Sequence, residues 1–387
     1  MQPDPSQAKR TVRVFATASF LHDIGAEMVF SVWPLFLTQV LGVNTVVIGL
    51  IDGIGDALVS ISQAVSGYIS DRIRRRKIFI WMGYLFGSIA RIGYALAPTW
   101  HWILPFRVLD RSGKLRGAPR DAILSEVSTR ENRGRNFGVL RMMDNTGAVI
   151  GIVITMLLIG HLEYRTLFLL AGVPSLLAVA LILFFVRETR STETRLFKGI
   201  RFKDLTPNLR LYMLLSAIFS IGNFSYSFLL LFAKQAGFAT AAIPALYLLF
   251  CLLAALFSLP FGKLSDRIGR KTVLLLSFAL WAGVSVCFLV SSHTSLMIVL
   301  AFALYGLHKA ALDPVEKAFA AELAPKDFVA SAIGGFQMVI GLCSLPASLA
   351  AGFLWERFGA TTPFAFSLVL TIVSSAMLLF LHESKKA

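Results

Sequence analysis

The sequence predicts an all-α integral membrane protein, with twelve transmembrane helices in two six-helix bundles and both termini in the cytoplasm. Three observations support this fold class: the composition, the length of the uncharged stretches, and an internal repeat. Of the 387 residues, 56% are hydrophobic and only 15% are charged, whereas soluble proteins carry about 25% charged residues. Residues 167–186 contain no charge, and about 20 such residues cross a hydrocarbon core of about 30 Å.

Twelve stretches of this kind are predicted as spans 1 to 12, which lie near residues 14–37, 46–69, 78–97, 101–121, 136–160, 165–186, 211–233, 241–262, 272–291, 295–316, 329–354 and 362–381. A long basic linker at 187–210 separates an N-terminal bundle, 1–186, from a C-terminal bundle, 211–387. The N-terminal tail leads into span 1 without a small-residue cleavage site, so we interpret it as a cytoplasmic tail and not as a signal peptide.

The distribution of basic residues predicts the orientation. With the N-terminus inside, 29 of the 37 lysines and arginines lie in cytoplasmic segments. The connectors on the other side hold only Arg165, Lys234 and Arg357. This asymmetry follows the positive-inside rule and predicts a multi-pass protein of the cytoplasmic membrane. The net charge of +15 is then explained by attraction to anionic membrane lipids, and no nucleic-acid partner is expected.

A charged segment, GYISDRIRRRK at 67–77, has a close copy, GKLSDRIGRK at 262–271. The same offset of 195 residues carries Pro119 onto Pro314, and one residue later Glu126 falls on Glu322. Because each half holds an even number of spans, both halves enter the membrane from the same side. The pattern therefore predicts a parallel repeat of two six-span halves.

These paired loops resemble the signatures of the major facilitator superfamily between spans 2 and 3 and between spans 8 and 9. The first copy departs from that signature at Arg74, where glycine is usual, while the second copy has Gly269. Residues 106–126 and 130–151 are also similar to prokaryotic facilitator-type transporters whose substrates are mostly unassigned. The resemblance covers essentially the whole chain and implies alternating access, with spans 1, 4, 7 and 10 lining a central cavity. The residues expected to form the gating motif are Gly67, Asp71, Arg72, Arg75, Gly262, Asp266, Arg267 and Arg270.

A partial antiporter motif lies in span 5. Gly138, Gly147 and Gly151 match its first glycines, but Ile152 stands in place of its proline. Because small residues also allow close helix packing whatever the direction of transport, the motif favours export over import only slightly.

Charged side chains inside the spans are the candidates for coupling to protons or to other cations. Each costs about 2.5–3.5 kcal/mol at the centre of a helix, so each needs a partner or a water-filled cavity. Carboxylates at i, i+4 in spans 1 and 2 and mixed stripes in spans 4 and 5 could face one cavity. The coupling candidates are Asp23, Glu27, Asp56, Arg107, Asp110, Arg141 and Asp144. Asp52 could equally be a solvated residue of the outer mouth, while Lys114, Arg116 and Arg120 are expected to snorkel towards the cytoplasmic face.

Polar groups elsewhere in the spans are candidates for lining the substrate site, namely His22, Asn223, Tyr226 and His308. Asn223 and Tyr226 are of the type that orients a ligand, and His308 could titrate near neutrality or simply pair with a neighbour. We expect coupling mainly in the first half of the chain and substrate contact mainly in the second.

The sequence favours a proton-coupled transporter of a small solute and leaves two alternatives open. His22, Asp23, Glu27 and Asp56 suggest carriage of a divalent metal ion or a charged metabolite, and a receptor that transports nothing is also possible. No H-E-x-x-H, G-x-S-x-G or Walker motif is present, so neither an enzyme nor an ATP-driven pump is predicted. The three cysteines lie in separate predicted spans and are interpreted as small core residues. No cofactor or resident metal is expected; the partners are the substrate, protons and lipids, and the protein is expected to be a monomer.

Overall fold

The computed structural model describes residues 5–73, 75–129, 132–186, 205–290, 294–325 and 329–381, and the linker residues 187–204 lie outside these ranges. Within them, ten helices are long and apolar enough to cross a membrane, and the bent pair Ala8–Phe30 and Trp33–Val40 makes an eleventh. The remaining stretch, span 4, is helical as well, but it is interrupted and carries five charged residues between 100 and 117. The predicted all-α membrane fold is confirmed.

Within the described ranges, nine spans are single helices. Spans 2, 3, 5 and 6 are Thr45–Ile73, Lys77–Leu96, Arg133–Leu158 and Tyr164–Phe185; spans 8 to 12 are Ile243–Ile268, Arg270–Val290, Ser295–Leu323, Val329–Phe358 and Thr362–Leu379.

The other three spans, 1, 4 and 7, are interrupted. Span 1 is Pro5–Phe30 followed by Trp33–Leu35 and a π-helical turn, Phe36–Val40; span 4 is Trp100–Ser112, a 3₁₀ turn, Gly113–Arg116, and Gly117–Glu126; span 7 is Pro207–Gly222 and Ser227–Gln235.

Local sequence explains where several helices begin and end. Span 7 starts with Thr206, whose hydroxyl accepts a hydrogen bond from the backbone N–H of Leu209, and with Pro207 at the first helical position. Span 8 ends at Ile268 and is followed by Gly269, whose φ of 95° is one that glycine adopts without strain. This turn allows span 9 to begin at the next residue. The equivalent position of the first repeat, Arg74, lies outside the described residues.

The chain divides into two compact units. The first unit comprises Met1–Gly42 and Leu58–Leu196, and the second comprises Val43–Ala57 and Phe197–Ala387. The N-terminal half of span 2 therefore belongs to the second unit by its contacts, although the rest of this helix belongs to the first.

The helix packing of the first unit recurs in the second. In the first unit, span 1 packs on spans 5 and 6, and span 3 packs on spans 4 and 6. In the second unit, span 7 packs on spans 11 and 12, and span 9 packs on spans 10 and 12. These pairs are the same ones displaced by six spans, as the sequence repeat predicts.

Two side-chain contacts also recur at places that match the offset of 195 residues to within one residue. Lys77 Nζ donates to the carbonyl of Leu183 at the end of span 6 (2.8 Å), and Lys271 Nζ donates to that of Leu379 at the end of span 12 (2.7 Å). Ion pairs join Arg76 to Glu126 and Arg270 to Glu322. The parallel repeat is therefore visible in side-chain contacts as well as in helix order.

Candidate functional site

Asp23, in span 1, lies in the interior of the first unit. Its side chain is half-buried, and it makes no hydrogen bond or ion pair with any residue that the structure describes. It lies close enough to Asp144, Lys114 and Arg116 for their charges to act on it. Glu27, one turn further along span 1, is also half-buried. The predicted carboxylates of spans 1 and 5 are therefore neighbours in the first unit.

The charged residues of span 4 are held by aromatic rings of span 1 and its continuation. Arg107 is 1% exposed, and its guanidinium carbon lies 4.7 Å from the centroid of the Trp33 ring. That of Arg111 lies 4.5 Å from the centroid of the Phe30 ring. Asp110 is buried beside Arg111, with 3.8 Å between the charged groups. A cation over an aromatic face gains stabilisation when water is excluded, which helps to explain how so polar a helix is accommodated.

Snorkelling of Arg116 and Arg120 was a wrong expectation. Arg116 is buried, donates to the carbonyl of Gly113 (2.9 Å) and lies 4.9 Å from the ring centroid of Tyr84. Arg120 donates to the hydroxyl of Ser19 (2.8 Å).

The physical reason is the close crossing of spans 3 and 4. A Cβ built on Gly83 would lie 2.5 Å from the carbonyl oxygen of Gly113, so the two backbones touch at this point. The 3₁₀ turn of span 4 is thereby covered. Lys114, on this turn, is half-buried and makes no hydrogen bond or ion pair within the described part of the chain, so the snorkelling expected of it stays a prediction.

In span 5, the two predicted residues differ in environment. Arg141 has a side chain that is 76% exposed, whereas that of Asp144 is 13% exposed, and 3.8 Å separates their charged groups. One carboxylate oxygen of Asp144 is buried without a hydrogen-bond partner in the described ranges. Asp144 is therefore directed into the first unit, while Arg141 is directed away from it.

His22 lies in a packed site between spans 1, 3 and 6. Its Nε2 is 3.0 Å from Arg91 Nη2, and Arg91 also donates to the hydroxyl of Ser175. Because a guanidinium only donates, Nε2 accepts, so the ring is the neutral tautomer with its proton on Nδ1. A Cβ built on Gly87 would lie 2.6 Å from His22 Cε1, so glycine makes room for the ring. Arg91 was not predicted as a site residue, although an arginine within an apolar span indicates a structural or functional role.

Asp52 and Asp56, both in span 2, belong to the second unit. Asp52 is 1% exposed and accepts hydrogen bonds from Ser225 (2.7 Å) and Ser227 (2.5 Å) at the break of span 7. The alternative of a solvated Asp52 is therefore wrong. Asp56 is half-buried, and its charge acts on Tyr305 of span 10. Both residues therefore interact with spans 7 and 10, and the cavity they are expected to share with Asp23 stays a prediction.

The other predicted lining residues also lie in the second unit. Asn223 lines a cavity between spans 7, 9, 10 and 11. Tyr226 packs against the rings of Tyr247 and Phe250. His308 is fully buried, and its Nδ1 lies 2.9 Å from both the hydroxyl and the carbonyl oxygen of Ser277. Of these three predicted residues, only Asn223 is placed against the cavity.

The gating motif is described more fully in its second copy. Arg270 bonds to Glu322 at 2.7 Å and to the carbonyl of Ala318 at 2.6 Å, while Asp266 is 64% exposed and 3.9 Å from Arg270. Arg267 is exposed, and Gly262 accepts a hydrogen bond from Ser265. In the first copy Arg75 is exposed, whereas the side-chain surroundings of Gly67, Asp71 and Arg72 lie outside what the structure describes.

Comparison with known proteins assigns the family. Residues 15–255 and 212–387 match the profile of the Major Facilitator Superfamily. An uncharacterized MFS-type transporter of Methanocaldococcus jannaschii is 37% identical over 97% of this chain and 96% of its own length. The chain therefore belongs to the major facilitator superfamily and is a multi-pass membrane transporter.

More distant relatives include two resistance proteins. The multi-drug resistance efflux pump PmrA of Streptococcus pneumoniae is 25% identical over 97% of this chain and 98% of its own. The class H tetracycline resistance protein of Pasteurella multocida is 24% identical over 70% of this chain and 71% of its own. A crystal structure of the nucleoside transporter NupG superposes with a TM-score of 0.77 at 16% identity, covering 95% of this chain and 97% of that one. This last likeness establishes the fold alone.

Proposed function

We propose that this protein is a proton-coupled carrier that exports a small solute by alternating access, and that it is not an enzyme. The observation that supports proton coupling most directly is the state of Asp23. This half-buried carboxylate has no hydrogen-bond or ion-pair partner among the described residues, yet the charges of Asp144 and Lys114 act on it. A carboxylate placed in this way is available to take up a proton.

The coupling follows from elementary electrostatics. Like charges oppose each other's ionisation and opposite charges favour it. The proton affinity of Asp23 therefore depends on its distances from Asp144 in span 5 and from Lys114 in span 4. A rearrangement of these spans during transport changes those distances, so a proton taken up on one side of the membrane can be released on the other.

Export is supported by sequence likeness rather than by the geometry of span 5. Two relatives are named as an efflux pump and as a resistance protein. The motif glycines have a separate role, because a Cβ on Gly147 or Gly151 would lie 2.4 or 2.3 Å from carbonyl oxygens of span 1. They allow span 5 to pack closely on span 1, which a transporter needs in either direction.

Carriage of a divalent metal ion gains no support from the arrangement of side chains. In the described ranges, no three His, Cys, Asp or Glu side chains are grouped so that they could hold a metal ion. His22 is engaged with Arg91 instead.

Flux measurements in proteoliposomes test the proposal. A thermal-shift screen of the purified protein against a solute panel first identifies a substrate, whose accumulation is then measured with and without a pH gradient. Asp23→Asn should abolish gradient-driven accumulation while leaving substrate exchange without a gradient intact. Glu163→Gln, which removes a carboxylate from an exposed connector, is the matched control and should behave as the wild type.

Two results would contradict the proposal. Gradient-driven accumulation that survives in both Asp23→Asn and Glu27→Gln would exclude the coupling role of these carboxylates. Binding of a ligand without flux of any tested solute would favour a receptor.

A further inference from the structure

The cavity of the second unit combines charged, polar and aromatic groups. Its enclosed volume is about 90 Å³. Span 7 contributes Ser216, Ser220 and Asn223, and span 10 contributes Lys309, Asp313 and Glu316. Ligand sites typically combine an apolar lining with a few polar groups that fix orientation.

The charges on span 10 do not balance within this cavity. Lys309 Nζ lies 3.3 Å from Asp313 Oδ1, so these two groups neutralise each other. Glu316 is half-buried, and its carboxylate makes no hydrogen bond or ion pair with the residues that the structure describes. Lys317, its neighbour in the chain, is exposed. The lining residues from spans 7, 9 and 11 are uncharged. Lys317 does not line the cavity, although its charge acts on Glu316. Among the lining side chains alone, one negative charge is therefore left over, and a bound cation would compensate it.

Aromatic rings also line the cavity. The rings of Phe219 and Phe278 stack with centroids 4.0 Å apart, and both line the cavity. Aromatic faces attract cations and also bury an apolar body. The cavity thus offers a carboxylate at one place and apolar surface at another.

We propose that this cavity binds a small organic cation, a protonated amine whose ammonium pairs with Glu316 and whose apolar body contacts Phe219 and Phe278. The inference rests on the proposed function and deepens it, since it names the chemical class of the solute that is carried. It also assigns Glu316 as a substrate-binding residue.

Three compounds of nearly the same size but different charge test the proposal. Phenethylamine, phenethyl alcohol and phenylacetate share one ring and differ in charge, and their binding to the purified wild-type protein in detergent is measured by isothermal titration calorimetry. Because charge-assisted hydrogen bonds are the strong ones, the amine should bind at least about tenfold more tightly than the alcohol. Phenylacetate should bind most weakly. An amine that binds no more tightly than the alcohol would overturn the proposal without any variant.

Variants locate the effect. Glu316→Gln should reduce amine affinity to that of the alcohol and leave alcohol affinity unchanged, while Phe219→Ala should weaken both. Glu163→Gln, again the control for loss of one carboxylate, should keep the full preference. If Glu316→Gln retains the preference for the amine, the ammonium does not bind at this carboxylate and the assignment fails.

The outcome is separable from that of the coupling proposal. The titrations involve no pH gradient, and Asp23→Asn should keep the preference for the amine. If gradient-driven flux depends on Asp23 but the three compounds bind with equal affinity, only the assignment of a cationic substrate is excluded. A strong amine preference with flux indifferent to Asp23 would exclude only the coupling scheme.

Discussion

Glu322 Oε2 lies 2.7 Å from Arg270 Nη1, and both side chains are only 18% exposed. The pair ties the start of span 9 to the end of span 10. In the first unit, Arg76 and Glu126 make the equivalent contact at 2.5 Å, but there the carboxylate is 37% exposed. The two motif loops are therefore each fixed by one glutamate, which the sequence repeat had already aligned.

Removal of either glutamate charge should destabilise the protein, and to different extents. Glu322→Gln leaves a half-buried arginine without its anion and should lower the free energy of unfolding by about 1–3 kcal/mol. Glu126→Gln should cost more, because Arg76 is only 6% exposed and water cannot easily replace the lost anion. Asp266→Asn, at an exposed and poorly aligned carboxylate, should change stability by less than about 0.5 kcal/mol. Thermal unfolding in one detergent measures all three, and equal losses would contradict this ranking.

The contact of Ser227 with Asp52 should contribute measurably to stability. A hydrogen bond to a charged group is worth about 1.5–3 kcal/mol, and its loss here leaves a buried carboxylate less satisfied. Ser227→Ala should therefore lower the unfolding midpoint clearly. Ser258→Ala, at a half-buried serine that makes no hydrogen bond within the described ranges, is the control. A midpoint that shifts equally in both variants would show that Asp52 does not depend on Ser227.

The three motif glycines of span 5 should differ in their tolerance of alanine. Gly147→Ala and Gly151→Ala each place a methyl group against span 1 backbone and should destabilise the protein by about 1–3 kcal/mol, the usual cost of overpacking. A Cβ on Gly138 would meet nothing within 4 Å. Gly138→Ala should therefore be neutral or slightly stabilising, since alanine favours a helix. Unfolding of reconstituted or detergent-solubilised protein measures the order, and a damaging Gly138→Ala would point to a role outside packing.

The role of His22 can be separated into packing and ligand contact. His22→Gln can still present an acceptor to Arg91 and should keep most of the stability, whereas His22→Phe leaves a buried guanidinium without this acceptor and should cost about 1–3 kcal/mol. If His22 only holds Arg91 in place and does not contact the substrate, the folded fraction of each variant should bind substrate with the same affinity. Loss of affinity in His22→Gln at unchanged stability would restore its interpretation as a substrate-lining residue.

Much of the fold follows from the sequence because hydropathy and charge report on the membrane directly. The twelve spans and the repeat depend on the length of apolar runs and on matching residues such as Glu126 and Glu322. The rotation and depth of each helix depend on tertiary contacts that no local pattern encodes. Arg116 was misplaced because the contact of Gly83 with Gly113, which covers it, joins residues 30 positions apart. Arg120 was misplaced because its partner Ser19 lies 101 positions away in the chain.

The types of residue in the candidate site were predictable from the sequence, but which of these residues lie near one another was less so. The spacing of Asp23 and Glu27 in span 1 indicated a coupling site, and charges from spans 4 and 5 do lie near Asp23. The same spacing in span 2 suggested one shared cavity with Asp56. Side-chain contacts associate Asp52 with the serines of span 7, which a helical period cannot reveal, and the shared cavity stays a prediction.

The composition of span 4 has a consequence for how this protein is made. Arg107, Asp110, Arg111, Lys114 and Arg116 lie within one stretch of membrane length, and at about 2.5–3.5 kcal/mol each the cost of inserting this helix alone is on the order of 10 kcal/mol. The rings of span 1 and the glycine crossing with span 3 supply surroundings that lipid cannot. Span 4 should therefore enter the lipid only after spans 1 and 3 are available to pack against it. The helices of the first unit should then insert cooperatively and not one by one.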